Sequence, residues 1–328
     1  MDQKELTGHG KHAAFDRTDG PGEVPQEAGT AVSPKQSGSV RVGISGWTYA
    51  PWRGVFYPAG LAQKRELEYS SRIFPTIEIN GTFYSLQTAK SFLRWREETP
   101  EDFVFAVKGT RFITHMRRLR EIETPLANFF ASGVLALGPK LGPILWQFPP
   151  SFSFKPEVLE DFFRLLPKTT QAAADLASGC DAWMKSRAFV DPVAPGPVRH
   201  AMEIRHKSFI SEEFIALLRK YGVALVCADA VKWPRLMDVT ADFVYCRLHG
   251  SEELYASGYD DKSLDEWAER VAAWAKGGEA EGEHASQNPA SKRASRDVYV
   301  YFDNDTKVRA PVDAKGLMER VRKPGSRD

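Results

Sequence analysis

The sequence has few cysteines, no long apolar run and almost no net charge, and each absence argues against a class of protein. Its 328 residues include three cysteines, Cys180, Cys227 and Cys246, without CxxC spacing, so neither a disulfide framework nor a thiolate metal site is predicted. No stretch approaches the ~20 apolar residues that span a bilayer, and the N-terminus lacks the apolar core of a signal peptide. A formal net charge of +1 gives no global attraction to nucleic acid or membrane. We therefore expect a cytoplasmic protein without a membrane partner.

Two segments have the composition of chain that does not pack into a core. Residues 1–39 are rich in Gly, Pro, Ser, Gln and charge, which predicts a disordered N-terminal extension. Residues 277–296, GGEAEGEHASQNPASKRASR, have the same character and are interpreted as a flexible insert. The folded unit is predicted over residues 40–322, with residues 323–328 as a short C-terminal tail.

Eight apolar, strand-like runs lie between these segments, and helical patterns separate most of them. The runs are VRVGIS (40–45), TIEIN (76–80), FVFAVKG (103–109), GPILWQF (142–148), HAMEIRH (200–206), VALVCAD (223–229), FVYCRLHG (243–250) and VYVYFDND (298–305). Strands that alternate with helices predict a parallel sheet, and eight such repeats predict an α/β fold, a single-domain (β/α)8 TIM-like barrel. The alternative is an open doubly wound sheet, but GISGWTYAPW after the first strand is not the GxGxxG that such a sheet normally carries.

Successive side chains of a strand point to opposite faces, and in most of these runs one face is polar. In TIEIN, for example, Glu78 and Asn80 oppose Ile77 and Ile79. A barrel packs its apolar face against the helices, so the other face points inward. The residues assigned to the interior are Glu78, Asn80, Lys108, Gln147, Glu203, Arg205, Cys227, Asp229, Arg247, His249 and Asp303. The polar members come late in their strands, at the carboxyl end where barrel enzymes have their active sites, and His206 follows at the rim.

Seven ordered motifs carry a family resemblance. They are GISGWTYAPWRGVFYP, FPTIEINGTFYSL, FVFAVKGTRFITH, KLGPILWQFPPSF, EIRHKSF, YCRLHG and VYVYFDND. Together they resemble domain-of-unknown-function family 72 (DUF72, YecE-like) over about residues 40–322. The resemblance implies a TIM-like barrel related in shape to the xylose-isomerase and endonuclease-IV group, and it implies no established reaction. Where the family more often has FNND this chain has FDND, so Asp303 adds a negative charge.

The inward carboxylates and histidine suggest a metal site as one interpretation. Glu78, Glu203, Asp229 and His249 are ligand types that hold divalent ions in sugar isomerases and abasic-site nucleases of similar shape. Cations predicted at the same mouth would neutralise these carboxylates in place of a metal. No cofactor is therefore predicted, and a divalent metal stays an open alternative.

The other interpretation is an enzyme for a small anionic ligand, phosphorylated or sugar-like, that uses acid–base chemistry. The candidate catalytic residues are Glu203, His249 and Glu78. The candidate ligand contacts are Arg205, Arg247, Lys108, Asn80, Asp229, Gln147, Trp47, Tyr84, His115, His206 and Asp303. Ion pairs that only satisfy one another are the structural alternative, but several charges from separate strands are an unfavourable way to fill a core.

A basic segment at residues 109–121 supports a rival function. It carries Arg111, Arg117, Arg118 and Arg120 after the third strand, and aromatic residues follow the first strand at the same rim. Such a surface binds a phosphate backbone and stacks on bases. A nucleic-acid-binding or repair protein is therefore the alternative to the enzyme, and a solvated basic face is the structural explanation.

Overall fold

Eight parallel strands close into a barrel in the computed structural model, which describes residues 38–250 and 254–322. The strands are β1 Val40–Ser45, β2 Thr76–Ile79, β3 Val104–Lys108, β4 Leu141–Gln147, β5 His200–Glu203, β6 Ala224–Asp229, β7 Phe243–Leu248 and β8 Asp297–Phe302. Each strand pairs with the next in the sequence, and β8 pairs with β1. The predicted (β/α)8 barrel is therefore confirmed, with a strand at every predicted run.

Helices cover the outside of the barrel. They are α1 Glu66–Ser71, α2 Gly81–Tyr84, α3 Ala89–Glu98, α4 Glu123–Ala131, α5 Pro156–Leu165, α6 Thr170–Ser178, α7 Ala182–Lys185, α8 Glu212–Tyr221, α9 Asp261–Ala275 and α10 Arg309–Arg322. Helix α8 shows how local sequence sets the bounds. Ser211 accepts a hydrogen bond from the Phe214 N–H at 3.2 Å, and Gly222 ends the helix with φ of +63°. None of the helices in the described part of the chain combines the length and apolar character needed to cross a membrane.

The barrel interior has an apolar layer beneath its polar mouth. Its members are Ala106, Leu145, Ala201, Ala224, Val226, Ala228, Phe243, Tyr245, Tyr299 and Tyr301. In most strands, the next inward position toward the carboxyl end is polar, as in Lys108 after Ala106 and Glu203 after Ala201. The filled layer closes the barrel from below, so the polar side chains collect at one end.

Strand β6 departs from the predicted alternation. Ala224, Val226 and Ala228 face the barrel interior, so Cys227 and Asp229 face the opposite side. Cys227 packs in the outer core, and the Asp229 carboxylate lies 2.8 Å from Nη1 of Arg235. The inward orientation expected for Cys227 and Asp229 is therefore wrong. Both faces of VALVCAD are apolar until its last residue, so alternation gave no correct indication of which face is inside.

The predicted insert at 277–296 contains neither helix nor strand, yet hydrogen bonds hold it against the barrel. The carboxylate of Asp238 accepts from the N–H groups of Ala285 and Ser286 at 2.8 and 3.0 Å. Arg296 donates to the carbonyl of Ser291 at 2.6 Å. Flexibility of this segment stays a prediction. The predicted extension, up to residue 37, and the predicted tail at 323–328 lie outside the described residues.

The substitution Gly43→Ala tests how closely β1 and β2 pack. A Cβ at Gly43 would lie 1.9 Å from the carbonyl oxygen of Thr76 on neighbouring β2, so Gly43→Ala forces these strands apart. We expect it to lower the free energy of unfolding by about 2 kcal/mol or more, measured by urea unfolding. Gly196→Ala is the control, because no atom lies within 4 Å of its Cβ position. Equal urea midpoints for the two variants would contradict this packing.

Candidate active site at the barrel mouth

Arg247, on β7, lies at the centre of the site, and its guanidinium contacts three carboxylates. Its Nη2 lies 2.9 Å from Glu78 Oε1 and 2.8 Å from Asp303 Oδ2, and its Nη1 lies 2.6 Å from Glu203 Oε2. Arg247, Glu78 and Glu203 are fully buried. Charge-assisted hydrogen bonds of this length stabilise buried carboxylates that would otherwise be very unfavourable. We refer to these four residues as the Arg247 cluster.

Three further side chains complete the hydrogen bonds of the cluster. Ser45 donates to Glu78 Oε1 at 2.5 Å, and the Tyr245 hydroxyl donates to Glu78 Oε2 at 2.6 Å. Arg205 donates through Nε to Glu203 Oε1 at 2.9 Å. Both oxygens of each glutamate therefore have a donor.

The arginines keep two of the carboxylates ionised. Burial by itself would raise the pKa of Glu203, but Arg247 and then Arg205 hold that pKa well below its usual range. The pKa of Asp303 is also lowered, because Arg247 and then His249 outweigh the effect of burial. Neither carboxylate is therefore a proton donor near neutral pH.

His249 is fully buried beside the cluster. Its Nδ1 lies 3.1 Å from Asp303 Oδ2 without hydrogen-bond alignment, and its Nε2 lies 3.7 Å from Glu203 Oε2. Trp233 and Tyr255 pack edge-on against the imidazole, with ring centroids 5.1 and 5.4 Å away. These rings separate the imidazole from solvent.

A cavity of about 670 Å³ opens at the mouth of the barrel. Seven of the predicted site residues line it: Trp47, Asn80, Tyr84, Lys108, Gln147, Arg205 and Asp303. Four others, Glu78, Glu203, Arg247 and His249, lie behind this wall and are fully buried. The structure therefore divides the predicted site into a wall that a ligand can reach and an ionic layer that supports it.

Lys108 is the unusual member of the wall. It is 7% exposed, and its side chain forms no hydrogen bond or ion pair with any residue in 38–250 or 254–322. Its Nζ lies 4.6 Å from the ring centroid of Phe83. Burial and then the nearby Arg247 charge lower the pKa of Lys108 to about 8, and the carboxylates of the cluster oppose that shift.

Two side-chain amides of the same wall have polar atoms without a hydrogen bond. The side-chain oxygen of Asn80 is buried without a hydrogen bond, while its nitrogen donates to Ser45 Oγ at 3.0 Å. Gln147 is 5% exposed, and its amide has no partner among the described residues. Asn80 follows β2 and Gln147 ends β4, so they flank the end of β3, where Lys108 lies.

The remaining predicted residues lie outside both groups: Asp229, His206 and His115. His206 accepts a hydrogen bond from the Ser208 N–H at 3.1 Å, so it caps the short turn after β5. His115 packs edge-on against Phe83 with centroids 5.1 Å apart, and burial followed by the Arg205 charge lowers its pKa to about 4. Near neutral pH His115 is therefore an uncharged residue beside the mouth.

A protein-family model matches most of the chain. Residues 41–327 match the model described as protein of unknown function DUF72. The chain belongs to the DUF72 family. This confirms the resemblance that the seven motifs carry.

Two curated relatives cover part of this DUF72 chain. The UPF0759 protein YunF of Bacillus subtilis is 32% identical over 123 residues, which are 36% of this chain and 43% of that protein. The UPF0759 protein YecE of Escherichia coli K12 is 27% identical over 173 residues, 53% of this chain and 51% of that protein. The chain thus spans about half the length, or less, of the curated relatives it matches.

Solved structures show the same fold. A DUF72 family protein from Thermotoga maritima MSB8 superposes with a TM-score of 0.66 at 24% identity, over 87% of this chain and all of that one. A DUF72 family protein from Enterococcus faecalis V583 gives a TM-score of 0.61 at 15% identity, over 88% of this chain and all of that one. At these identities the likeness extends to the fold alone.

Several residues of the site in this DUF72 protein were missed in the sequence. Strand alternation places Tyr245 on the inner face of β7, although it is not among the predicted site residues, and the same alternation could have found Ser45 on β1. Trp233 and Tyr255 lie in loops, and nothing in their local sequence marks them. The Arg205 guanidinium stacks 3.6 Å from the Trp233 ring centroid, a contact that only the folded chain brings about.

The residues at the mouth do not fit a divalent metal ion. No group of three His, Cys, Asp or Glu side chains in residues 38–250 and 254–322 is arranged to hold one. Arg247 lies where the carboxylates of Glu78, Glu203 and Asp303 converge, which is the position a cation would take. Asp229, the remaining carboxylate of the proposed ligand set, faces away from the barrel interior.

Arg247→Met tests the ionic layer. It removes the guanidinium that pairs with Glu78 and Asp303 and one of the two that pair with Glu203, so we expect a loss of about 3–5 kcal/mol in the free energy of unfolding at pH 8. In the wild type, the lowered pKa values of Glu203 and Asp303 give a stability that is fully present above about pH 4.3 and is lost as pH falls through the lower folded values. In the variant, unpaired burial raises the pKa of the carboxylates, so its stability increases as pH falls from 8 to 5.

Urea unfolding at pH 8 and pH 5 measures this difference. Arg65→Met is the control, because the Arg65–Glu68 pair is exposed, and its midpoint should match the wild type at both pH values. A deficit of the Arg247 variant that stays constant between pH 8 and pH 5 would show that the cluster does not act through charge.

Proposed function

We propose that this DUF72 protein is an enzyme that binds a small anionic compound in the cavity at the barrel mouth and acts on it by acid–base chemistry. The observation that carries the proposal is Lys108, which lines the cavity without an anionic partner in the described part of the chain. A buried ammonium group is unfavourable unless a charge or hydrogen-bond acceptor reaches it. An anionic ligand would supply that charge.

Other features of the wall support a polar ligand. The amides of Asn80 and Gln147 are largely buried and have unused hydrogen-bonding capacity, which a ligand with hydroxyl or carbonyl groups would satisfy. Trp47 and the 70% exposed Tyr84 line the same cavity and offer faces for a sugar ring or carbon chain. The cavity volume falls in the range of about 300–1,000 Å³ that is typical of small-molecule sites.

The acid–base step falls to Lys108 in this proposal. Glu203 and Glu78 are buried behind the wall and bonded to Arg247, so neither reaches a ligand without rearrangement. Lys108 reaches the cavity, and its lowered pKa of about 8 lets it give or accept a proton near neutral pH. Within the cluster, Arg247 would position Asp303 and Glu203 would position Arg205, and both of these residues line the cavity.

Anion binding is tested with glucose 6-phosphate, citrate and pyruvate, each in a thermal-shift titration. We expect at least one to raise the Tm of the wild type, and Lys108→Met to weaken that anion at least tenfold. With a pKa of about 8, Lys108 is charged in about nine of ten molecules at pH 7 and about one of ten at pH 9, so affinity should fall roughly tenfold between these pH values. Lys315→Met is the control, since the Lys315 ammonium also lies over a phenylalanine ring but is exposed outside the cavity. Equal affinity in both lysine variants would refute the proposal.

The nucleic-acid alternative has less support from the geometry. Of the four arginines at 109–121, Arg117 donates to Glu121 and Arg118 donates to the Ser151 carbonyl, which leaves Arg111 and Arg120 as exposed charges. Labelled single- and double-stranded oligonucleotides, titrated at 50 and 200 mM salt, test it. Binding that falls steeply with salt and survives Lys108→Met would favour this alternative.

We also infer a reducing compartment, the cytoplasm, from the cysteines. All three are buried and free. Cys227 and Cys246 are register partners on β6 and β7, yet no disulfide joins them. A buried free thiol pair is typical of proteins kept in reducing surroundings.

A further inference from the structure

Lys108 has the environment of a nucleophilic amine. It ends β3 at the floor of the cavity, with Nζ over the Phe83 ring and only 7% of the residue exposed. A lysine that serves only as a counter-ion is normally paired, whereas the carboxylates nearest to this one are bonded to arginines. The amine therefore points into the cavity without an anion that holds its proton.

Burial is the main factor that favours the neutral amine. It lowers the pKa of Lys108 most, the Arg247 charge from β7 lowers it further, and Glu78, Asp303 and Glu203 oppose these effects. With a pKa of about 8, roughly a quarter of the Lys108 side chains are neutral at pH 7.5. An ordinary lysine is neutral in only about one molecule in a thousand at that pH. A neutral amine is the form that attacks a carbonyl carbon.

We propose that Lys108 captures the carbonyl group of an aldehyde or ketone ligand as a Schiff base. This inference rests on the proposed function and narrows the ligand to an anionic carbonyl compound. Asn80 and Gln147 flank Lys108 at the ends of the adjoining strands: the Gln147 amide can donate to the carbonyl oxygen of such a ligand, and the Asn80 amide oxygen can accept from a hydroxyl group.

The step is balanced without an oxidant or reductant. The Lys108 nitrogen forms a bond to the carbonyl carbon, and the carbonyl oxygen takes a proton to give a carbinolamine. That oxygen then leaves as water, so Lys–NH₃⁺ and R₂C=O yield Lys–NH⁺=CR₂ and H₂O. Both protons of that water come from the Lys108 nitrogen, and Asp305, whose pKa is raised by burial and then by the Asp303 charge, lines the same cavity and can relay them.

Reductive trapping tests the inference. The protein is incubated separately with glyoxylate, pyruvate and dihydroxyacetone phosphate, treated with sodium borohydride, and examined by intact mass and peptide mapping. We expect one adduct per chain at Lys108 with at least one probe. The adduct should be absent in Lys108→Met and retained in Lys315→Met. Lys108→Arg keeps the positive charge but cannot form the imine, so it separates loss of chemistry from loss of folding.

A second readout follows the amine itself. At pH 8, dinitrofluorobenzene should modify Lys108 at least tenfold faster than Lys315, and inorganic phosphate should slow only the Lys108 reaction. If adducts were spread equally over surface lysines in both the wild type and Lys108→Met, the Schiff-base inference would be overturned. If Lys108→Met lost anion binding while no probe was trapped on the wild type, the inference would fall and the proposed function would stand. Absence of both binding and trapping would overturn both.

Discussion

The site depends on the contact between the Arg247 guanidinium and the carboxylates of Glu78, Glu203 and Asp303. Each carboxylate comes from a different strand or strand end, so a single cation joins distant parts of the barrel. None of these charges could be buried by itself, because the loss of hydration would exceed the gain from packing. Their mutual compensation lets the barrel carry a layer of paired charges just beneath its open end.

That compensation has a chemical consequence for the neighbouring lysine. A carboxylate bonded to two arginines, as in Glu203, is not free to pair with a third cation. Burial and then the Arg247 charge therefore lower the pKa of Lys108 more than the carboxylates of the cluster raise it. The same layer explains why the mouth does not fit a divalent ion. A guanidinium takes the central position, and the cavity-lining cation without an anionic partner among the described residues is the Lys108 amine.

Small residues in the barrel interior make room for this arrangement. Ala106 and Ala201 precede Lys108 and Glu203 on the inner face. Their short side chains leave space for the longer polar side chains that follow. Tyr245 belongs to that floor through its ring and to the ionic layer through its hydroxyl, which donates to Glu78. The solved DUF72 structures share the barrel fold with this chain at 15–24% identity. At that identity the likeness does not extend to the side chains at the barrel mouth.

The sequence by itself determined the barrel, because eight strand runs alternating with helical patterns have few other ways to bury their apolar faces. It also determined most of the inward set, since alternation is a local property of an extended chain and placed Glu78, Lys108, Glu203 and Arg247 correctly. Alternation failed at Asp229. The residues before it on β6 are apolar on both faces, so the local sequence does not indicate which face points into the barrel.

Only the tertiary structure decided which inward charges pair and which line the cavity. Arg247 and Lys108 are both cations on inner strand faces, yet one is fully bonded to carboxylates and the other is left open to the cavity. The distance between side chains on strands far apart in the sequence sets that difference. Loop residues such as Trp233 belong to the site for the same reason, since contacts made across the barrel leave no periodic trace in the sequence.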